Sequence, residues 1–233
     1  MGFNTAADWA NAVDAGRVHV TTFRKTVASA STVANDFVDY TYFAGNPPAN
    51  FYASAPLEAA FIEPVRGIHV PSVAPKQQYI KSITAMSSAA TATSTGNQNQ
   101  RHALCDYLLY YPFIDTDAVG EQQDMIQSVS LPRYTSGQVM CVSQSAASTV
   151  GSFTVSYTNQ DGVSGRTSQL TYTKTVGGGG TLVSSTTNSA AGSQPFLQLQ
   201  AGDSAVRSIE SVTMVSAARQ YALTARTQQA RAR

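Results

Sequence analysis

Charge is what this chain has least of. Only 12% of its 233 residues are Asp, Glu, Lys or Arg, about half the usual share for a soluble globular domain. Such a surface suits a protein covered by neighbours better than one that works alone. Fifteen basic and fourteen acidic residues leave a net charge of +1. Without clustered Lys and Arg there is no phosphate-reading surface, so neither nucleic acid nor anionic lipid is an expected partner. Arg219, Arg226, Arg231 and Arg233 lack compensating acids and read as a solvated tail. No run of about twenty apolar residues occurs, so no membrane-spanning helix is expected. Met1-Gly2-Phe3-Asn4 has no basic lead into an apolar run, and Ala6 stands where myristoylation needs Ser or Thr. Neither export nor that lipid anchor is expected.

The groups that do chemistry are equally sparse. Cys105 and Cys141 are too few and too far apart for a zinc motif and read as buried, reduced thiols. His19, His69 and His102 are scattered, with no His-x-His or His-Glu-x-x-His pairing, so no metal set is indicated. Gly162-Val163-Ser164-Gly165 lacks the second spacer of a nucleophile elbow and reads as a hairpin turn. Asp106, Asp115, Asp117, Glu121 and Asp124 form the one acidic cluster. Paired carboxylates there are compatible with glycoside hydrolysis or a divalent cation, but the EF-hand order is absent and a solvated turn after Pro112 is the simpler reading. No catalytic residue, metal ligand or cofactor is assigned, and a non-enzymatic role is expected.

What the chain does have is Ser, Thr, Ala, Gly and short apolar alternations. Asn4 to Ala15 reads as a short helix capped by Asn4 or Thr5 and stopped by Gly16, with Trp9, Ala12 and Val13 on one face. Strands are expected from Arg17 onward. Candidates are Val18–Phe23, Asp36–Tyr42, Gly67–Val70, Tyr79–Met86, Ala103–Tyr111, Gln138–Ser143, Phe153–Thr158, Thr167–Lys174, Phe196–Leu199, Ile209–Ser216 and Tyr221–Ala225. In 152–158, Phe153, Val155 and Tyr157 share one face, and the polar turn Asn159–Gly165 leads back into Arg166–Thr173, a half-buried antiparallel hairpin. Many short strands without long crossover helices predict an all-β fold, an antiparallel β-sandwich or jelly roll with a short N-terminal helix and extended arm. Residues 1–60 would form the helix and arm and residues 61–233 the β domain, with one continuous domain as the alternative.

Two segments stand out for contact chemistry. Gly45-Asn46-Pro47-Pro48-Ala49-Asn50-Phe51-Tyr52 reads as an extended loop outside any ladder, because paired prolines lack donors. It is either an arm to a neighbour or a strap across its own core. In Leu104–Asp115, Leu104, Asp106, Leu108 and Tyr110 alternate with Cys105, Tyr107, Leu109 and Tyr111. Both faces are largely apolar, so this strand lies between layers or at an interface. Tyrosine suits interfaces. The candidate interface residues are accordingly Pro47, Pro48, Phe51, Tyr52, Tyr107, Tyr110, Tyr111 and Tyr134, with core packing as the default for the tyrosines.

The runs Gly45–Asn50, Cys105–Asp115, Leu131-Pro132-Arg133-Tyr134, Ser156–Gln160 and Gly202-Asp203-Ser204 resemble segments of structural proteins of tailed bacteriophages. The resemblance brings no catalytic or ligand motif with it. It implies a virion component made in the host cytoplasm and carried on the capsid, with head decoration or cementing as the favoured role. The major capsid protein would be its partner, and a homo-oligomer, a trimer first, its form. A tail or neck ring component and a carbohydrate or host-surface binding module are the alternatives.

Overall fold

The computed structural model describes residues 4–26, 37–50, 52, 54–69, 80, 82–84, 102–127, 136–174, 178–183, 195–218 and 223–230, the last in backbone only. The chain begins with helix α1 (Ala6–Asp14). Thr5 caps it: its hydroxyl accepts from Asp8 N at 3.1 Å, and the Asp8 carboxylate accepts from Thr5 N at 3.1 Å. This reciprocal box satisfies two orphan donors, and Gly16 beyond the end takes φ +64°, the left-handed geometry glycine allows. The helix expected from Asn4 to Ala15 is therefore present, though only Ala12 of it is buried.

Ten strands follow among the described residues: β1 (Arg24–Lys25), β2 (Gly45–Asn46), β3 (Cys105–Ile114), β4 (Gln122–Asp124), β5 (Gln138–Ser143), β6 (Ser152–Asn159), β7 (Arg166–Thr167), β8 (Thr171–Tyr172), β9 (Val206–Ser216) and β10 (Leu223–Ala230). They pair antiparallel in three sheets: β1–β2, the three-stranded β3–β10–β5, and β4–β9–β6–β7 with β8 also on β6. The structure is thus mostly antiparallel β with one short helix, as expected.

The best-patterned strands are the ones that form. Gln138–Ser143 is a strand over its whole expected length, and the β6 hairpin closes through Asn159–Gly165 onto β7 and β8. Elsewhere local pattern loses to context. Residues 17–23 lie outside any strand, and Asp36–Tyr42 yields a 3-10 turn over Tyr40–Tyr42 capped by Asp39. No strand occurs among the described residues of 67–70 and 79–86. Phe196–Leu199 is not a strand, although Leu197 N donates to Val139 O and so runs along β5. Thr167–Lys174 breaks into two short pieces because Gln169 N turns to Gln198 O instead of β6. Gly45 and Asn46, expected as loop, pair with Arg24 and Lys25.

The main core draws on both larger sheets: Leu109, Tyr111 and Ile114 of β3, Val139 and Cys141 of β5, Phe153, Val155 and Tyr157 of β6, and Val206, Ile209, Val212 and Met214 of β9. A second cluster covers the other side of the three-stranded sheet. There Tyr110, Met140 and Val142 meet Tyr52 and Leu182, with Phe37, Tyr42, Ala60 and Ile62 packed against them. Both faces of β3 are buried, which explains its apolar character on both sides. Simple alternation fails along it, however. Tyr107 and Cys105 group with Tyr110 rather than with Leu109 and Tyr111. The ladder to β10 slips between the partners of Leu109 and Tyr107, and an extra residue in a strand reverses every face beyond it.

Irregular chain runs along parts of the outer edges of the three-stranded sheet. Ala60 and Tyr110 exchange both backbone hydrogen bonds at 2.9 Å on the β3 side. On the β5 side Val183 N donates to Cys141 O and Ser143 N to Thr181 O. Covered edges of this kind do not recruit stray strands.

Candidate interaction surface

Residues 45–50 and Tyr52 form a strap over the molecule's own sheet. Lys25 sets it in place: its ammonium donates to the carbonyls of Phe43 at 3.0 Å, Pro47 at 2.5 Å and Pro48 at 3.2 Å. Three carbonyls replace the water around one cation, and burial pulls the Lys25 pKa down from its ordinary value while Asp39 opposes the shift. Arg66 holds the far side, donating to Ala49 O while paired with Glu63. At the end of the strap Tyr52 is fully buried, and its hydroxyl donates to the Asp39 carboxylate, which also accepts from Thr41 Oγ1 at 2.6 Å. Tyr42 stacks on Tyr52 with ring centres 5.9 Å apart. Tyr110 meets Tyr52 edge-on at 5.1 Å, and Tyr107 meets Tyr110 edge-on at 6.3 Å.

This geometry corrects the expected interface. Tyr52, Tyr110 and Tyr111 are core residues of this chain and offer no area to a partner. Burial also pushes the Tyr111 phenol up to about 12 and raises Tyr110 and Tyr42. Tyr107 and Pro47 are half-buried, and Pro48 is exposed. Phe51 and Tyr134 lie outside the described residues. Of the two roles open to the 45–52 loop, the strap is the one seen.

The exposed apolar side chains are elsewhere. Phe61, Val65 and Ile68 face water just after the strap, around the 3-10 turn Pro64–Arg66, and Ile80 and Ile83 do so further on. Val65 is 66% exposed and Ile80 69%. In the N-terminal segment Val20 is 80% exposed and Val13 lies open on α1. Sequence reasoning passed over these residues. Their signal was an apolar run broken by Pro64 and Pro71, which suits extended chain better than the strand expected there.

A polar hub ties the β6 hairpin to the turn before β9. The Asp203 carboxylate accepts from Tyr157 Oη at 2.6 Å, Asn159 Nδ2 at 2.9 Å, and Arg166 Nε and Nη2 at 2.9 and 3.2 Å. The Arg166 guanidinium, with the Tyr157 and Asn159 donors, holds Asp203 down to about 2. Burial, and after it the bond to Asp203, pushes Tyr157 up to about 12. Nearby, Glu210 accepts from Ser156 and Thr158 hydroxyls and from Gly165 N. Proton transfer near neutrality wants values near 7; this hub moves the opposite way and is a tie, not an acid–base pair.

The acidic cluster is a braced turn. Asp117 N donates to Asp115 Oδ1, while the Gln123 amide both accepts from Asp115 N and donates to Asp115 O. Among the described residues no three His, Cys, Asp or Glu side chains come together as a metal set. His19 and His69 are exposed, and His102 stacks against Tyr40 at 5.8 Å. Cys141 is buried and Cys105 half-buried, both as thiols. No helix among the described residues is long and apolar enough to cross a membrane. Comparison of the chain with protein-family models, curated proteins and solved structures finds no match.

Proposed function

We propose that this chain is a virion structural protein of a tailed bacteriophage, a capsid decoration or cement protein. In this reading the two larger sheets form a sandwich, and the exposed apolar residues outside it seat the molecule on the major capsid protein. The observation that carries it is the series Phe61, Val65, Ile68, Ile80 and Ile83, all open to water in a chain with little charge. Apolar surface left open in quantity marks contact with a partner. A molecule that binds only the assembled lattice lowers that state by mass action, and several copies in a closed ring, a trimer first, add avidity. The reading includes no catalytic step or cofactor. A sugar-binding module is disfavoured, because it needs its tyrosines along an open groove and Tyr52, Tyr110 and Tyr111 are inside.

The test is cryo-EM of the phage particle that carries this chain. Density for the β body on the outer shell, above junctions between capsomers, is the expected result. Density in the neck or tail would replace the cementing role with a ring component. Absence from the particle would overturn the virion reading.

A further inference from the structure

The last strand, β10, is central yet has the composition of an outsider. It lies between β3 and β5 and pairs with both. A strand covered on both sides usually reads as a continuous apolar run. Leu223-Thr224-Ala225-Arg226-Thr227-Gln228-Gln229-Ala230 has one large apolar residue, Leu223. Its two backbone ladders, to β3 and to β5, are ones that any copy of the same strand makes equally well.

The surroundings form a slot for one strand. The outer edge of β3 is met by Ala60 at Tyr110 and by Leu57 at Pro112, and that of β5 by Thr181–Val183, while β10 fills the gap between their inner edges. Before the slot the chain is pinned. Ala218 is buried and its N donates to Thr116 O at 3.2 Å. A Cβ on Gly151 would sit 2.7 Å from Ala218 N, so the two backbones are in close contact. Residues 219–222 alone connect this pinned point to β10, so Ala218 and Leu223 lie at most about 18 Å apart. A short link between a fixed strand and a separable one favours exchange with a second copy. The ladder to β5 is unbroken, whereas that to β3 slips twice.

We propose that β10 is exchanged between copies of this chain, each subunit inserting Leu223–Ala230 between β3 and β5 of its neighbour. Every ladder contact of the closed subunit is then remade across the boundary, which links subunits with no new interface to evolve. The proposal rests on the self-association in the reading above and needs nothing from the capsid.

The register supplies the test. Ala225 stands opposite Cys141. Cys141 O accepts from Val183 N on the far side of β5, so Ala225 and Cys141 are a non-hydrogen-bonded pair, with Cα atoms about 4.5 Å apart, within disulfide range. Two full-length chains are made in a Cys105→Ser background, one with Ala225→Cys and Cys141→Ser, the other retaining Cys141 and Ala225. Neither can form an internal disulfide. Refolded together in a redox buffer, they should give a covalent dimer of doubled mass on a non-reducing gel, lost on reduction. A third chain, carrying Ala225→Cys with Cys141 kept, reports pairing within one molecule. A disulfide-bonded monomer of that chain, with no dimer from the mixture, overturns the exchange. So does the absence of disulfide in both samples, since β10 would then not lie beside β5 at all. Size-exclusion of the mixture separates the two readings: an oligomer without the cross-chain disulfide sinks the exchange and leaves self-association standing.

Discussion

Asp203 and Asp39 show how few charged groups this molecule needs when each is fully used. Asp203 is held at about 2 against an ordinary 3.8. Its contribution to stability is complete above pH 4 and disappears as pH falls through 2. Asp203→Asn should therefore lower the urea midpoint at pH 7, and the gap to the unsubstituted chain should close at pH 2. Tyr157 is the mirror case: with the folded value near 12 against 10, its contribution is complete below pH 10 and disappears as pH rises through 12. Tyr52→Phe removes the donor to buried Asp39 and should cost about 1–3 kcal/mol, read from denaturant titration with an unchanged slope. None of these bonds was legible beforehand. Asp203 lies 46 residues from Tyr157 and Tyr52 lies 13 from Asp39, and no spacing rule links such positions.

At the scale of elements, legibility follows how local the cause is. The helix is written in Thr5, Asp8 and Gly16, within one turn of its ends. The β6 hairpin is written in its alternation and its Asp161-Gly162 turn. The extension of the last strand to Ala230 and the 3-10 turn at Tyr40 depend on distant partners: a strand is expected only over Tyr221–Ala225, and Asp36–Tyr42 has the alternation of a strand, but Asp39 turns its carboxylate to Thr41 and Tyr52. Close approach between elements is equally non-local. A Cβ on Gly151 would meet the Ser216 carbonyl and the Ala218 amide, each at 2.7 Å. Since these are backbone atoms that cannot swing aside, Gly151→Ala should cost about 1–3 kcal/mol and lower the thermal midpoint.

For the molecule as a whole, the exposed apolar surface proposed to meet a partner is separate from the aromatic strap. Val65→Ser with Ile68→Ser should leave the thermal midpoint unchanged, because both residues are already exposed, and should weaken binding to particles in a co-sedimentation assay. If binding survives, the contact lies elsewhere. Residue pattern alone was enough to predict an all-β chain of short antiparallel strands, since that follows from period-two alternation and the want of long helical runs. Alternation also marked β3 as apolar on both faces. It had no means of saying whether the second face met a neighbour or the chain's own strap. That was decided by Lys25 gathering three carbonyls, by Asp39 receiving Tyr52, and by a bulge that moved Tyr107 to the side of Tyr110. Burial is a property of where distant segments come to rest, and a tyrosine reads the same in a core as at an interface.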